Sequence, residues 1–384
     1  MTGSLRPTPL ELAAGRMFGE DAEAPGLAGP EDDGVAPLAA LERALLPALA
    51  REPCLVSFSG GRDSSAVLAA ATSAARRAGL PPPVPVTLRV PGAPMADETD
   101  WQERVVRHLG LPDWELREAG AGELERLGPL SVSVLRRHGV LYPPNTFLQI
   151  PLLEAARGGI LMSGFGGDEL FASWRWRARA DALARRRRPR ASDALRLVYA
   201  AAPGPLRRWR ETRSYRLTGL DWLRPEAARS ASRRAALARA EQPRSWSPWV
   251  DWFARRRAVR APQWSLSLLA ADAGTELVHP LLDPGFLAAV ARAGGRDGFG
   301  GRTDAMRALF GDLLPEAVLA RPTKARYSEV LWGRGTREFA ERWSGSGVDE
   351  AVVDPAALRR EWGGPAPHED SAMLLHAAWL SERG

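Results

Sequence analysis

The 384-residue chain contains little cysteine and no long apolar run. Its single cysteine, Cys54, excludes a disulfide framework and a zinc site built from several cysteines. Nothing in the neighbouring sequence would lower the pKa of this thiol, so we expect a small buried hydrophobic residue and not a nucleophile. No stretch of about 18 uncharged apolar residues occurs, and the first residues lack the basic-then-apolar order of a secretory signal. We therefore expect a cytoplasmic protein with no membrane partner.

Lysine and asparagine each occur once, at Lys324 and Asn145, so all the other basic residues are arginine. A bias towards GC-rich codons accounts for both depletions. It also accounts for the pI near 10.2, because arginine titrates so high. The basic pI is thus weak evidence for nucleic-acid binding. A single lysine among so many arginines suggests chemistry that needs a compact ammonium group, which a planar guanidinium does not supply; a chance lysine on the surface is the alternative.

The first half of the chain is predicted to be an α/β domain. Residues 1–34, rich in Gly, Pro and acidic residues, are expected to form an amino-terminal arm with a short helix around Leu10–Phe18. Residues 35–178 alternate between strand and helix patterns, which is typical of a parallel sheet covered by helices on both faces. The predicted strands are Leu55–Phe58, Val84–Val90, Trp114–Leu116 and Gly159–Met162, and the predicted helices are Pro37–Arg51, Asp63–Ala78, Thr99–Leu109 and Thr146–Arg157.

Beyond about Trp174 the strand patterns vanish, and residues 179–384 are predicted to be a helical region on the substrate side. The Arg-rich stretch 177–190 is interpreted as a solvated helix face, with an anion-facing or RNA-facing surface as the alternative. The tryptophans of this half are expected to pack in the core first and to line a substrate site second. They are Trp174, Trp176, Trp209, Trp222, Trp246, Trp249, Trp252 and Trp264.

The segment Ser59–Ser64, with the sequence SGGRDS, lies between a predicted buried strand and a predicted helix. Two glycines at this point allow the backbone N–H groups to turn towards an anion, and the positive end of the helix dipole adds to the attraction. The segment is not a Walker loop, because it has no lysine and the spacing differs. A carboxylate, Asp63, within a phosphate site requires a cation between them. The sequence therefore predicts a site for phosphate and a metal ion.

Four motifs resemble one enzyme family. SGGRDS is similar to the loop of PP-loop ATP pyrophosphatases, which split ATP between the α and β phosphates. Ser163–Phe171 (SGFGGDELF), Gly274–Asp283 (GTELVHPLLD) and Leu314–Lys324 (LPEAVLARPTK) resemble segments of asparagine synthetases, β-lactam synthetases and lasso-peptide macrolactam cyclases. The resemblance covers about residues 51–343. It implies an α/β fold of the adenine-nucleotide α-hydrolase (PP-loop, Rossmann-like) type, with a largely helical second half that completes the synthetase domain.

The resemblance also implies roles for particular residues, with ATP and Mg²⁺ as cofactors. Asp63 and Asp168 would hold Mg²⁺ on the triphosphate. Lys324 would stabilise the charge that grows on the α-phosphate and the leaving pyrophosphate. Glu276 would position or deprotonate the incoming amine, although Glu276 and Asp283 would have merely structural roles if they cap a helix or pair with arginine. ATP would contact Phe58, Ser59, Gly60, Gly61, Asp63, Ser64, Leu88, Ser163 and Gly164.

The sequence departs from the family in two places. Asparagine synthetases begin with a glutamine-hydrolysing domain whose nucleophile is a cysteine after the initiator methionine; here the second residue is Thr2, and only about fifty residues precede SGGRDS. Phe165 stands where asparagine synthetases carry Glu and β-lactam synthetases carry Tyr, and a phenyl ring neither gives nor takes a proton. One hypothesis is that His279 fills this vacancy because its charge switches near neutral pH; a structural histidine is the alternative. Asn145 is expected to cap a helix, or to bond to substrate.

These features predict an ATP-dependent ligase that adenylates a carboxylate and transfers the acyl group to an amine, releasing AMP and pyrophosphate. Without its own glutaminase, we expect it to act on a peptide or natural-product precursor, with a separate partner delivering ammonia or the peptide where one is needed. Asparagine formation from ammonia, or with a separate glutaminase, is the nearest alternative. The others are a PP-loop tRNA-modifying enzyme, which the second motif argues against, and a non-catalytic binding subunit.

Overall fold

A computed structural model describes residues 5–27, 34–177, 180–181, 199, 201–323, 325 and 327–383. Its centre is a five-stranded sheet in which all strands run parallel, in the order β3-β2-β1-β4-β5. Because parallel strands need crossover connections, helices separate them along the chain and cover both faces. The strands are β1 (Cys54–Ser57), β2 (Val84–Arg89), β3 (Glu115–Glu118), β4 (Ile160–Met162) and β5 (Glu276–Val278).

Helices make up most of the other described structure. Short 3₁₀ segments occur at Pro94–Ala96, Thr146–Gln149, Pro280–Leu282 and Glu369–Ser371. The α-helices are α1 (Pro9–Ala14), α2 (Pro37–Leu49), α3 (Arg62–Ala78), α4 (Thr99–Leu109), α5 (Pro129–His138), α6 (Ile150–Ala155), α7 (Gly167–Ala172), α8 (Gly204–Ser214), α9 (Pro225–Glu241), α10 (Trp246–Ala254), α11 (Arg257–Ala273), α12 (Pro284–Gly294), α13 (Arg302–Phe310), α14 (Glu316–Leu319), α15 (Ser328–Leu331), α16 (Arg334–Arg342), α17 (Pro355–Trp362) and α18 (Ala372–Arg383).

The central strands are apolar on both sides because each side packs against helices. Val56 of β1 and Met162 of β4 face a core that contains α2, α3 and α12. Their chain neighbours Leu55 and Leu161 face the other core, built with α6 and α11. Successive side chains of a strand point to opposite faces, so a continuous apolar run of this kind is what a doubly covered sheet requires. This confirms the predicted sheet architecture.

The strand order places a topological switch point at the centre of the sheet. From β1 the chain moves outwards through β2 to β3, then returns to the other side of β1 to form β4 and β5. In open α/β sheets, ligands bind beyond the carboxyl ends of the strands at such a point. Two of the four segments that resemble family motifs, Ser59–Ser64 and Ser163–Phe171, follow β1 and β4, which are the two neighbouring strands at this position.

A second group of helices forms its own apolar core, which contains Trp222 and Trp362. The amino-terminal segment packs against it: the indole N–H of Trp222 donates to the carbonyl oxygen of Ala13 at 2.8 Å, and Arg16 pairs with Asp370 at 2.8 Å. The short helix expected in the arm is present as α1, and it is anchored to the carboxyl-terminal helices. Within the described ranges, no helix is both long and apolar enough to cross a membrane.

Two expectations about the second half need comment. The predicted, largely helical second half is confirmed, but it contains one strand that was not predicted: β5 pairs with β4 and forms an edge of the sheet. Only three residues long and bearing an exposed glutamate, β5 lacks the alternating pattern by which strands are recognised. The expected packing of tryptophans is confirmed for Trp174, Trp176, Trp222, Trp246 and Trp249, which are buried, but Trp209 is 57% exposed. Most of the stretch 177–190 lies outside the described residues.

Candidate active site

The first hinge, Ser59–Ser64, turns the chain from β1 into α3. Gly60 has φ +77°, and a Cβ here would lie 2.9 Å from the side chain of Gln102, so this turn requires glycine. The hydroxyl of Ser64 donates to the carbonyl oxygen of Gly61 at 3.2 Å, and Gly61 N–H donates to the hydroxyl of Ser59 at 3.3 Å. No side chain caps the amino end of α3 in the described structure. The hinge thus presents hydroxyls and helix N–H groups, as an anion site does.

The second hinge, Ser163–Glu169, turns the chain from β4 into α7 and lies directly on the first. A Cβ at Gly164 would be 2.6 Å from the backbone nitrogen of Ser64, and one at Gly167 would be 2.4 Å from the carboxyl carbon of Asp63. Glycine is therefore required at both positions for the hinges to touch. Ser163 N–H donates to the carbonyl oxygen of Val278 at 3.0 Å, which ties this hinge to the end of β5.

Because the two hinges touch, Asp63 and Asp168 lie beside the same positively charged side chain, that of Arg302. The guanidinium of Arg302, the first residue of α13, donates to Asp63 at 2.7 Å and also contacts Asp168. Two carboxylates close enough to contact one guanidinium are close enough to bind one metal ion, so the pair fits Mg²⁺. In the described chain no group of three or more His, Cys, Asp or Glu side chains could hold a metal. Two carboxylates suit Mg²⁺ that is bound mainly through substrate phosphates.

A cavity of about 360 Å³ opens at the carboxyl ends of β2 and β3, beside the first hinge. Leu88 lines it, as expected, together with Glu98 and Gln102. The side-chain amide of Gln102 donates to the carbonyl oxygen of Ser59 at 3.3 Å, which joins the cavity wall to the hinge. Its volume lies within the range of pockets for small molecules, about 300–1,000 Å³. The cavity and the hinge together can hold a nucleoside connected to phosphates.

The segment before the only lysine is attached to the first hinge through Arg321. This buried side chain, 3% exposed, donates to the carbonyl oxygen of Gly60 at 2.7 Å and pairs with Glu98. Its guanidinium also lies over the ring of Trp101, 4.8 Å from the centroid. Lys324 itself lies outside the described residues, so its role stays a prediction.

His279 and Phe165 are neighbours at the second hinge. The hydroxyl of Ser163 and Nδ1 of His279 are 2.6 Å apart, and the imidazole meets the ring of Phe165 edge-on with centroids 5.3 Å apart. Burial lowers the pKa of His279 to about 4. The hypothesis that its charge switches near neutrality is therefore wrong: at neutral pH the ring is uncharged. The side chain does occupy the place beside Phe165.

Two of the expected site residues do not reach the site. Glu276 is the first residue of β5, so it lies at the amino end of the strand, about 10 Å of strand away from the hinges. There it is half-exposed and pairs with Arg51 at 3.0 Å. Phe58 is 1% exposed and packs in the core between the sheet and α3, so its side chain does not line the cavity. Phe58 could therefore contact a nucleotide through its backbone but not through its side chain.

Three other expectations concern supporting residues. Asp283 caps α12 by accepting the N–H of Phe286 at 3.0 Å, which is the structural alternative proposed for it. Asn145 stands at the cap position of a 3₁₀ segment, but within the described structure its side chain makes no cap hydrogen bond. Burial raises the pKa of Cys54 to about 11, so its thiol stays protonated and packs as a small hydrophobic group, as expected.

Arg302, Glu98 and Gln102 were missed by reasoning from the sequence. Gln102 and Arg302 contact the hinges from helices distant in the chain, and Glu98 lines the cavity and pairs with Arg321. Arg302 and Asp63 are 239 residues apart. No pattern marks Arg302 among so many arginines. Arg321 lies within the fourth motif, three residues before Lys324, and this position was the only indication in the sequence that it belongs to the site.

A family model described as asparagine synthase matches residues 39–381, which is almost the whole chain. No curated protein matches the sequence. The match spans both hinges, the nucleotide-sized cavity, Arg302 and the segment that ends at Lys324.

Proposed function

The chain belongs to the asparagine synthase family, and from this premise we propose that it adenylates a carboxylate and couples it to the amine of a peptide or natural-product precursor. Membership in the family implies ATP-dependent carbon–nitrogen ligase chemistry. The observation that carries the proposal is the meeting of Asp63 and Asp168 at one cation, at the switch point of the sheet.

In the proposed reaction the adenosine occupies the cavity beside Leu88, and the triphosphate extends over the first hinge. The N–H groups of Gly61 and of the first turn of α3 attract the phosphate oxygens, and the hydroxyls of Ser59 and Ser64 exchange their bonds within the hinge for bonds to phosphate. Asp63 and Asp168 would hold Mg²⁺, which when bound neutralises charge on the triphosphate. These residues align the α-phosphate for attack.

The substrate carboxylate attacks the α-phosphorus, pyrophosphate leaves, and an acyl adenylate remains. Lys324 is proposed to stabilise the charge that grows on the α-phosphate and on pyrophosphate. An amine nitrogen then attacks the acyl carbon, AMP leaves, and the amine gives up a proton to form the amide. Each step conserves atoms, and ATP supplies the driving force.

The second hinge favours an amine that needs little help to lose its proton. Phe165 has no ionisable group, His279 is a weak base because burial lowers its pKa to about 4, and Glu276 lies at the other end of β5. A peptide α-amino group, with a pKa of about 7.7–8.0, is about half neutral near pH 8, whereas a lysine-type amine, at about 10.4, is almost entirely protonated. This supports a peptide amino terminus as the amine. The family match leaves the amine unspecified, and a peptide amino terminus is our proposal for it.

The test is ATP–pyrophosphate exchange with Mg²⁺, in which aspartate, related amino acids and precursor peptides are screened as the carboxylate. We expect one class of carboxylate to support exchange. Asp63→Ala is expected to abolish exchange because a metal ligand is lost, and Lys324→Arg because a guanidinium cannot replace the compact ammonium. Amide formation is then measured with peptides whose amino terminus is free or acetylated.

Each result bears on a separate part of the proposal. Exchange that continues in Asp63→Ala would refute the assignment of the metal site. Exchange with free aspartate, followed by amide formation with ammonia alone, would show asparagine synthesis and refute a peptide or natural-product substrate. Arg107→Lys serves as a charge-conserving control for Lys324→Arg, since this exposed side chain of α4 pairs only loosely with Glu103, at 3.7 Å.

A further inference from the structure

Arg302 occupies the position between the two carboxylates assigned to the metal. Its two terminal nitrogens each contact one of them, Nη2 reaching Asp63 and Nη1 reaching Asp168. The three side chains are largely shielded from water, with exposures of 18% for Arg302, 12% for Asp63 and 33% for Asp168. Hydrogen bonds between such charged partners are stronger than neutral ones. A cation of the protein itself therefore occupies the position where Mg²⁺ is expected.

The guanidinium and Mg²⁺ cannot share these oxygens in the same arrangement. Mg²⁺ requires near-octahedral ligands at 2.0–2.1 Å, and Arg302 already holds one oxygen of each carboxylate, Oδ2 of Asp63 and Oδ1 of Asp168. A guanidinium left in place would also face a divalent ion across a few ångströms, where like charges repel strongly. The two cations therefore compete for the same pair of carboxylates.

The rest of α13 does not need to move for this exchange. Arg62, in the first hinge, donates to the hydroxyl of Thr303 at 3.1 Å and to the carbonyl oxygen of Leu319 at 3.5 Å. The first turn of α13 is thus held against the hinge independently of Arg302. Only the Arg302 side chain has to rotate, and a bound triphosphate offers it a new anionic partner nearby.

We propose that Arg302 holds Asp63 and Asp168 together in the nucleotide-free protein and excludes free divalent cations until Mg²⁺ arrives with ATP. Arg302 is thus a positioning residue: it keeps the carboxylates converged and sets the order of binding. The inference rests on the proposed function in one respect, the assignment of these two carboxylates to Mg²⁺.

The experiment is a titration with Mn²⁺, a spectroscopic substitute for Mg²⁺, in the absence of ATP, with free Mn²⁺ measured by electron paramagnetic resonance. We expect the wild-type protein to bind Mn²⁺ weakly and Arg302→Gln to bind it about tenfold tighter or more, because a positive charge is removed within a few ångströms of the metal. The gain is expected to vanish in Arg302→Gln combined with Asp63→Asn, since a ligand is then missing.

Two controls separate this effect from a change in net charge or in folding. Arg307→Gln removes the same charge from the same helix, at an exposed residue paired with Glu316, and should leave Mn²⁺ binding unchanged. Arg302→Lys keeps a charge but cannot bridge two carboxylates with a planar fork, so we expect an intermediate gain. Circular dichroism verifies folding, and Arg302→Lys carries the test if the glutamine variant is unfolded.

The inference is overturned if folded Arg302→Gln binds Mn²⁺ no tighter than wild type, or if wild type already binds it tightly without ATP. Its failure is distinct from failure of the proposed function. Pyrophosphate exchange with no change in Mn²⁺ binding would refute only the role of Arg302. Tighter Mn²⁺ binding in a protein that never catalyses exchange would refute only the ligase.

Discussion

At the scale of the residue, Phe165 of the second hinge can neither give nor take a proton, so a neighbouring side chain would have to do so. The nearest candidate, His279, has its Nδ1 against the hydroxyl of Ser163 and its ring edge against Phe165. Because burial lowers the pKa of His279, the imidazole is a neutral hydrogen-bonding group at physiological pH. We interpret it as a support that fixes the hydroxyl of Ser163 at the hinge.

This interpretation predicts different outcomes for two substitutions of His279. His279→Leu removes the hydrogen bond to Ser163 and is expected to slow pyrophosphate exchange about tenfold, the effect of a lost hydrogen bond of about 1.4 kcal/mol. His279→Asn keeps a polar group near the hydroxyl and should be less impaired. Between pH 6 and 8 the exchange rates of wild type and His279→Asn should depend on pH in the same way, whatever their absolute values. An ionisation in this range that disappears in His279→Asn would show that His279 acts as an acid or base.

At the scale of the element, the site depends on two strand–glycine–helix units in contact. The glycines of the second hinge have distinct functions: Gly164 lets the backbone approach the start of α3, Gly166 has φ +102° against Leu282, and Gly167 makes room for Asp63. A Cβ at any of these positions would require a neighbour to move: the backbone of Ser64, the side chain of Leu282 or the side chain of Asp63. The glycines thus set the distance between the two hinges, and with it the distance between the two carboxylates.

Gly164→Ala is expected to separate the hinges, because its Cβ would lie 2.6 Å from the backbone nitrogen of Ser64. We expect the free energy of unfolding to fall by about 1–3 kcal/mol. Pyrophosphate exchange should fall about 100-fold, since misplacement by about 1 Å is enough for such a loss. Urea denaturation and the exchange assay measure the two effects. Gly204→Ala, at a position with open space at the start of α8, is the matched control and should change neither.

At the scale of the whole molecule, two buried histidines couple folding to pH. Burial is the main cause that lowers the pKa of His279 to about 4 and that of His376 to about 3. His376 lies on α18, beside the core that contains Trp222 and Trp362, with Nε2 3.0 Å from the carbonyl oxygen of Arg126. In the unfolded chain both would titrate near 6.5. Between these values the unfolded state binds more protons than the folded state, so acid favours unfolding.

The stability that these histidines contribute is complete above about pH 6.5 and is lost as the pH falls towards 4 and 3. Well below pH 6.5, each is expected to reduce the free energy of unfolding by about 1.4 kcal/mol per pH unit. Urea denaturation at intervals from pH 7.5 to 5 measures the slope. His376→Gln should remove the contribution of His376, leaving a shallower slope. An unchanged slope in that variant would mean that His376 is not responsible.

Much of the fold could be predicted because its determinants are local. The apolar strands, the glycine hinges and the helices that follow them each lie within about twenty residues of sequence, and periodicity reveals them. The short strand β5 was missed because three residues at a sheet edge carry too little pattern, and the role of Glu276 was wrong for the same reason. Because the strand was not predicted, nothing indicated that Glu276 is its first residue and so lies at the amino ends of the strands, away from the hinges.

The sequence by itself determined the α/β sheet, the two glycine hinges and, through the motifs, the family and its class of chemistry, because these depend on residue types at fixed local spacing. Only the tertiary structure decided which groups meet at the hinges. Arg302 joins Asp63 across 239 residues, and the charge of His279 depends on what buries it. Such contacts follow from the packing of distant helices and strands, where the identity of a residue does not reveal its partner.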